Sequence, residues 1–285
     1  MNVFQAIVIA IIEGITEFLP ISSTAHMKFA NPILGIADSP FVDLFEIVIQ
    51  FAAIASVLII YRKQFFNFRQ ISFYFKLIVA VIPALIFGAL LKKYIDAALN
   101  NLWVIAIVMI AGGVILLFVD KLFKANEASS SNIKASTTNS NNDANGNTNK
   151  DAGELSYQKS FIIGCFKVLS IIFPGLSRSA ATIIGGMSQK LNKKTALEFS
   201  FFLAVPTMAA ATAKEIYDTF KEHPASLQAD NASMLAIGCI VAFIVSIISM
   251  RFFVNFVSKH GFRAFGVYRI IAGSVILYLA LHQVI

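Results

Sequence analysis

The sequence predicts an all-α, polytopic membrane protein with about six transmembrane helices and two re-entrant helical hairpins. Three observations carry this. The chain is 57% hydrophobic and only 14% charged over 285 residues, whereas an ordinary soluble domain carries about 25% charged residues. Its apolar runs, such as Phe51 to Tyr61, Leu102 to Val119 and Met234 to Met250, are continuous. A membrane β-barrel would instead alternate in segments of roughly 10 residues. Two further apolar regions are interrupted by dense polar clusters, Glu13 to His26 and Pro174 to Thr182. Ionisable groups at membrane depth are expensive and default to a functional reading.

The elements follow in order. Residues 2–19 predict a helix stopped by Pro20, after which Ser22 and Ser23 can cap a short helix through about Leu34. Full spans are expected at about 41–61, 73–91 and 101–119. Residues 125–153, with Ser129-Ser-Ser, Thr137-Thr and Asn139-Ser-Asn-Asn-Asp, form a polar tract that lacks the apolar area needed to fold. It reads as a disordered cytoplasmic linker between a first half, 1–124, and a second half, 154–285. Ser160 to Phe173 is a short helix stopped at Pro174-Gly175, and Ser177 or a neighbour can cap a helix to about Gln189. Full spans then recur at about 195–214, 232–250 and 265–282. The broken regions, about 2–34 and 160–189, are read as re-entrant hairpins, whose non-helical tips are tolerated where protein or water surrounds them. Two ordinary kinked spans are the alternative.

The halves echo one another. Phe18-Leu-Pro-Ile-Ser-Ser matches Phe173-Pro-Gly-Leu-Ser-Arg-Ser, and each cluster is followed by an acidic residue opening a span, Glu46 and Glu198. Broken segments in corresponding positions suggest an inverted-topology repeat with a midplane site. Arg62, Lys63 and Arg69, then Lys190, Lys193 and Lys194, then Arg251, Lys259 and Arg263 all fall on one side, which is taken as cytoplasmic. The loop 215–231, with Glu215, Asp218, Glu222 and Asp230 against Lys221, falls outside, and Lys92 and Lys93 dissent. Both termini are then outside, with the first hairpin entering from outside and the second from inside. The net charge of +7 reflects these cytoplasmic loops. No basic stripe interleaves with exposed aromatics, so nucleic acid is not an expected partner. Cys165 and Cys239 lack metal or redox spacing and are expected to be small buried hydrophobes. The N-terminus lacks a basic n-region and a small-residue cleavage site, so no cleavable signal peptide is expected.

The polar clusters carry the chemistry. Glu13 and Glu17 share a helix face and can hold a divalent cation with phosphate oxygens, or share a proton; the alternative is a structural pair. Ser22 and Ser23 open a helix whose N-terminus attracts anions. His26 faces the same way as Ser23, so the two can act as nucleophile and base. Gly175 permits close backbone approach, Ser177, Ser179 and Thr182 supply hydroxyls, and Arg178 supplies a fork suited to phosphate. A structural pair of Arg178 with Glu198 or a tip carboxylate is its bland alternative.

The stretches Glu13-Gly-Ile-Thr-Glu17-Phe-Leu-Pro-Ile-Ser-Ser-Thr-Ala-His26 and Pro174-Gly-Leu-Ser-Arg178-Ser-Ala-Ala-Thr182, with the supporting runs Phe45 to Gln50 and Glu198 to Pro206, resemble the bacterial undecaprenyl-diphosphatase family of bacitracin-resistance proteins. The resemblance covers nearly the whole chain except the 125–153 tract. It implies removal of the terminal phosphate from undecaprenyl diphosphate, recycling a cell-wall lipid carrier. It also implies an inner-membrane protein whose site opens to the outer face, dependence on a divalent cation (Mg²⁺ or Ca²⁺), a homodimer, and bacitracin as a competitor for the substrate. The family's catalytic positions fall on Glu13, Glu17, Ser23, His26 and Arg178, with Glu13 and Glu17 as metal ligands. Ser22, Thr24, Gly175, Ser177, Ser179 and Thr182 are then the expected substrate contacts. Ala25 and Ala180 stand where the family usually has Gly. The rival reading is a transporter or flippase for polyprenyl phosphate lipids.

Overall fold

The structure is a computed structural model that describes residues 1–67, 71–91, 94, 101–124 and 155–282. The expected linker 125–153, together with Arg69, Lys92, Lys93 and the side chain of Asp230, lies outside the described residues. Among the described residues eleven α-helices follow in order: α1 (Val3–Thr16), α2 (Ser23–Ile33), α3 (Pro40–Ile60), α4 (Arg62–Phe65), α5 (Ile71–Leu90), α6 (Leu102–Leu122), α7 (Tyr157–Ile172), α8 (Arg178–Ser188), α9 (Lys193–Glu222), α10 (Ala229–His260) and α11 (Arg263–Leu281). No strand occurs among the described residues. Six of the helices, α3, α5, α6, α9, α10 and α11, are long and apolar enough to cross a bilayer, and the chain is a polytopic membrane protein. Ile240, Ile244, Ile248 and Phe252 form one exposed stripe along α10, as Ile78, Ile82, Leu85 and Ile86 do along α5. Such large apolar groups at helical spacing face lipid, not water.

Local chemistry sets the helix ends. Asn2 and Gln5 form a reciprocal capping box that starts α1. Ser39 caps α3 with Pro40 in the first turn, the Asn101 side chain accepts from two amides opening α6, and Asn192 caps α9. Two helices outrun their expected spans. α9 continues through Glu222, so Glu215, Asp218 and Glu222 are helical and not in a loop; a Lys214–Asp218 pair one turn apart supports the extension. α10 continues through His260, so Arg251 and Lys259 are also helical. Lys259 and His260 in the last turn suit the helix dipole, and Gly261 at φ 73° ends the helix. Cys165 is exposed on α7 and Cys239 is half-buried, so neither is the buried hydrophobe expected of it. Both lie on helices whose outer faces meet lipid, where a thiol is tolerated without burial.

The packing crosses between the halves. α1 lies along α10, while α7 lies along α5, and α3 contacts both α9 and α10. α6 and α11 form the most extensive pair, and their backbones nearly touch. A Cβ on Gly113 would stand 2.9 Å from the Gly266 carbonyl, and one on Gly266 would stand 2.8 Å from the Gly113 carbonyl. Small residues that permit close backbone approach are the usual means of joining helices in lipid, where apolar burial gives no drive. Phe18, Ile54, Leu77, Ile163, Phe201 and Phe253 are buried members of one shared core. The α1–α2 and α7–α8 units are each broken in the middle. At 14 and 16 residues, their longer arms reach only about 21–24 Å, short of the roughly 30 Å hydrocarbon core.

Gly164 tests the crossing. Its Cβ position is occupied by the Ala80 carbonyl of α5, so Gly164→Val is expected to separate α7 from α5. Thermal melting in detergent should reveal a loss of about 1–3 kcal/mol, whereas Gly88→Val, with open space around its Cβ position, should change stability little.

Candidate active site

Each break is a short strained turn. The first runs from Glu17 to Ser22, with Pro20 inside it, and Ser22 sits at φ 72° as the N-cap of α2. The second contains Pro174, Gly175 at φ 94° and Ser177 at φ 76°. A Cβ on Gly175 would stand 2.5 Å from the Ile105 carbonyl, so both its φ and its contact demand glycine. Ser177 caps α8 as expected, accepting from the Ala180 amide at 3.3 Å. Ser22 does not cap α2, contrary to expectation: its side chain makes no hydrogen bond to the amides that follow. Two N-cap serines at positive φ, one in each unit, are the kind of strain that clusters at functional sites.

One side chain ties the breaks together. Arg269 of α11 is fully buried. It donates to the Pro20 carbonyl in the first break (3.0 Å), to the Gly175 and Leu176 carbonyls in the second (both 2.8 Å), and to the Met109 carbonyl of α6 (3.0 Å). The first three are acceptors that the broken helices leave over, and the fourth ties the clamp to α6. Only a planar fork with five donors can reach both turns at once.

Between the turns lies a cavity of about 170 Å³, lined by Glu17, Ser22, Ser23, Thr24, Ser170, Ile171, Pro174, Gly175, Ser177 and Arg178. The N-termini of α2 and α8 both open on it. Within it, Arg178 Nη2 donates to both oxygens of Glu17 at 3.1 Å and to Gln50 Oε1 at 2.6 Å, while Nη1 contacts the Met208 sulfur. Ser23 Oγ donates to Glu17 Oε2 at 2.6 Å, a short charge-assisted bond. Arg178 is therefore paired with a tip carboxylate. Glu198 lies instead beside Lys194 at 3.9 Å.

The remaining expected residues stand around this centre. Ser179 bonds Ser177 Oγ at 3.0 Å and the Leu19 carbonyl at 3.1 Å, joining the two turns. Thr182 bonds Ser200 and the Arg178 carbonyl, one layer behind the cavity. His26 does not pair with Ser23. Its Nδ1 lies 2.7 Å from the Ser22 carbonyl, so Nδ1 carries the proton, and Nε2 accepts from the Tyr268 hydroxyl at 2.8 Å. Glu46 is buried in a separate network with Asn31 at 2.7 Å and Lys28 at 3.5 Å. Glu46 and Glu198 thus occupy different surroundings. Glu13, one turn before Glu17, is fully buried with neither oxygen hydrogen-bonded.

The family profile described as "Bacitracin resistance protein BacA" matches residues 6–275, which takes in both breaks and Arg269. The chain belongs to the BacA family. It is 44% identical over 300 residues to a Porphyromonas gingivalis protein named undecaprenyl-diphosphatase, covering 100% of this chain and 99% of the relative. It is 47% identical over 279 residues to a Flavobacterium johnsoniae protein of the same name (98% and 96%), and 43% identical over 279 residues to one from Bdellovibrio bacteriovorus (98% and 96%).

In this BacA-family chain Glu13 could hold a divalent cation, one turn behind Glu17 of the cavity lining. A carboxylate buried without a donor needs a proton or a cation, and the charges bearing on it are those of Glu17, Arg178 and Glu46. No cluster of three or more acidic, His or Cys ligands exists among the described residues. A cation held by one or two carboxylates, with phosphate oxygens and water completing its shell, suits Mg²⁺ or Ca²⁺. Glu17 is already engaged by Arg178 and Ser23, so Glu13 is the freer ligand. Sequence reasoning passed over Arg269, Tyr268 and Gln50. The one available signal was an arginine inside the apolar run 265–282, which the same membrane-depth rule flags.

Arg269→Met would orphan carbonyls in both BacA-family motifs at once. A destabilisation of about 3 kcal/mol or more is expected in detergent melts. Arg269→Lys should recover little of it, because a point ammonium cannot bridge the two turns.

Proposed function

We propose that this chain is an integral membrane phosphatase that hydrolyses undecaprenyl diphosphate to undecaprenyl phosphate and inorganic phosphate. One observation carries the reading: a serine hydroxyl sits 2.6 Å from a carboxylate that also holds Arg178, in a cavity faced by two helix N-termini. That is a nucleophile, a proton acceptor and an oxyanion grip in one place. The names of the relatives agree with it.

In the proposed reaction the terminal phosphate enters the cavity of about 170 Å³. Arg178 turns its fork from Glu17 to phosphate oxygens, and the free amides opening α2 and α8 receive the others. Ser23 Oγ attacks the terminal phosphorus and passes its proton to Glu17. The phosphorus–oxygen bond to the inner phosphate breaks, and undecaprenyl phosphate leaves with the bonding electrons. Water, deprotonated by Glu17 once the carboxylate is restored or by His26 Nε2 once the Tyr268 hydroxyl has released it, then cleaves the phosphoserine. Glu13 would hold a divalent cation, which neutralises charge on the diphosphate when bound. Ser22, Thr24 and Ser177 orient the phosphate, Gly175 keeps the wall thin, and Ser179 and Thr182 brace the second turn.

The lipid tail has a matching surface. Leu176, between two residues of the polar cavity, also lines an almost wholly apolar cavity of about 240 Å³ with Gly112, Ile115, Phe166, Ala181 and Ile184. A polar head site and an oily cavity built on the same Gly175–Ser177 turn suit a polyprenyl diphosphate. The broken units are proposed as re-entrant hairpins of an inverted repeat. The crossed packing of α1 on α10 and α7 on α5, and the paired N-cap serines, support that reading. Placement in the bacterial inner membrane, a site opening outward, both termini outside, a homodimer and competition by bacitracin complete it, resting on the resemblance and on the charge of the loops. A flippase for the same lipid needs no nucleophile, so the Ser23–Glu17 bond favours the enzyme.

Purified protein in detergent should release phosphate from undecaprenyl diphosphate, and a chelator should abolish release until Mg²⁺ or Ca²⁺ is restored. No release with either metal would leave the flippase as the better reading. Ser23→Ala should lower turnover at least about a thousandfold, and acid quenching of the wild type should trap phosphoserine. A Ser23→Ala variant with undiminished turnover would sink serine as nucleophile in favour of direct water attack. Ala181→Trp, filling the apolar cavity, should raise KM for the long-chain substrate about tenfold, the equivalent of roughly two methylenes of lost burial, while a short-chain analogue keeps its KM.

A further inference from the structure

Lys167 of α7 is a buried ammonium that the reaction above does not use. It is 5% exposed. Its Nζ donates to the Leu203 carbonyl at 3.4 Å and to Thr207 Oγ1, both on α9 where Pro206 interrupts the helix ladder. These are neutral acceptors, and no carboxylate is ion-paired with Lys167 among the described residues. An ammonium has three donors, so one remains. A buried cation with only neutral partners is costly in an oily interior, and in a membrane protein such a group defaults to a functional role.

Its surroundings identify the role. Lys167 lines a small closed chamber with Glu17, Arg178, Ser179, Thr182 and Ser200. Glu17 and Arg178 line both this chamber and the larger site cavity, so the Glu17–Arg178 pair is the wall between them. The chamber measures about 20 Å³, which is room for one water and not for a phosphate. Lys167 therefore does not touch the substrate; it stands behind the carboxylate, on the side away from it. The charges that reach it are those of Arg178 and Glu17.

We propose that Lys167 is the reserve counter-ion of Glu17. The proposal rests on the phosphatase reading, in which Arg178 must release Glu17 to grip the phosphate. At that moment Glu17 would lose its partner and be free to swing away, which removes it as acceptor for Ser23. Lys167, directly or through one water in the chamber, holds the carboxylate in place while Arg178 is on the substrate. Lys167 is thus a positioning residue that acts through Glu17. No bond is made or broken by it, and no proton leaves it.

A double-variant cycle reads this without turnover. Lys167→Met, Arg178→Ala and the double variant are melted in detergent beside the wild type. With Arg178 present, Glu17 already has its partner, so Lys167→Met should lower Tm modestly. In the Arg178→Ala background, where Lys167 is the remaining cation beside Glu17, the same change should lower Tm by a clearly larger amount. Equal shifts in the two backgrounds would overturn the proposal whatever the substrate turns out to be. Kinetics give the second arm. Lys167→Met should lower kcat roughly tenfold to a hundredfold with KM within about twofold, and Lys167→Arg should restore most of the loss. Thr207→Val, which removes a neutral partner of Lys167 and leaves its charge, should keep kcat. Loss of kcat in Thr207→Val equal to that in Lys167→Met, or no rescue by Arg, would mean that Lys167 only braces the α9 kink. If the wild type releases no phosphate, the phosphatase reading fails, while the melting cycle still decides whether Lys167 and Glu17 are coupled.

Discussion

The fold depends on how a membrane protein can afford two unwound turns in its interior. Backbone carbonyls freed by a broken helix have no water to turn to inside an oily bundle. Here the Arg269 guanidinium takes that part, spreading its donors over the Pro20, Gly175, Leu176 and Met109 carbonyls. The two turns are thereby held at a fixed separation. That separation is the width of the cavity, and it places the start of α2 opposite the start of α8. The left-handed backbone at Ser22 and Ser177, and the glycine at 175 under the Ile105 carbonyl, are local strains that the clamp makes sustainable.

Electrostatics then divides the labour among four ionisable groups, Glu13 and Lys167 buried and Glu17 and Arg178 partly so. Glu17 and Arg178 pair in the cavity wall, Lys167 waits behind them, and Glu13 lies one turn deeper with no donor. Together they are two acids and two bases within a low-dielectric interior, where an imbalance of one charge is severe. Moving Arg178 onto a phosphate brings in new negative charge, which is why a cation at Glu13 is chemically reasonable. It is also why, in the proposed reaction, the carboxylate that would take the serine proton is the one most in need of steady partners.

Much of this was legible in the residues. The helical class, the six long helices and the positions of both breaks follow from apolar run length and from prolines, and most boundaries fall within a few residues of expectation. The exceptions have a common cause. α9 and α10 run on because a helix can leave the bilayer with charged residues along it, as Lys214, Asp218, Arg251 and Lys259 do, and hydropathy sees only the apolar part. Glu17, Ser23, Gly175, Ser177 and Arg178 do meet in one cavity. The pairing of Ser23 with Glu17, in place of His26, was not legible, because it depends on the rotation of α2 after a left-handed residue. Arg269, Tyr268 and Lys167 act across helices distant in sequence, and no local pattern announces such contacts. Glu46 and Glu198 both fall in the first two turns of a long helix, in different surroundings: one is buried beside Asn31 and Lys28 and the other lies beside Lys194.

The laying of α1 along α10, with Gly14 pressed against the Ala242 carbonyl at a Cβ distance of 2.9 Å, has a bearing on biogenesis. α1 leaves the ribosome first, and its partner is among the last helices made. At about 5–20 residues per second, Glu13 and Glu17 wait many seconds in the insertion machinery before the surface that shelters them exists. The order of synthesis therefore runs against the order of assembly. The proposed phosphate site closes only after α10 is made, and a chain stopped before it leaves Glu13 and Glu17 without that cover.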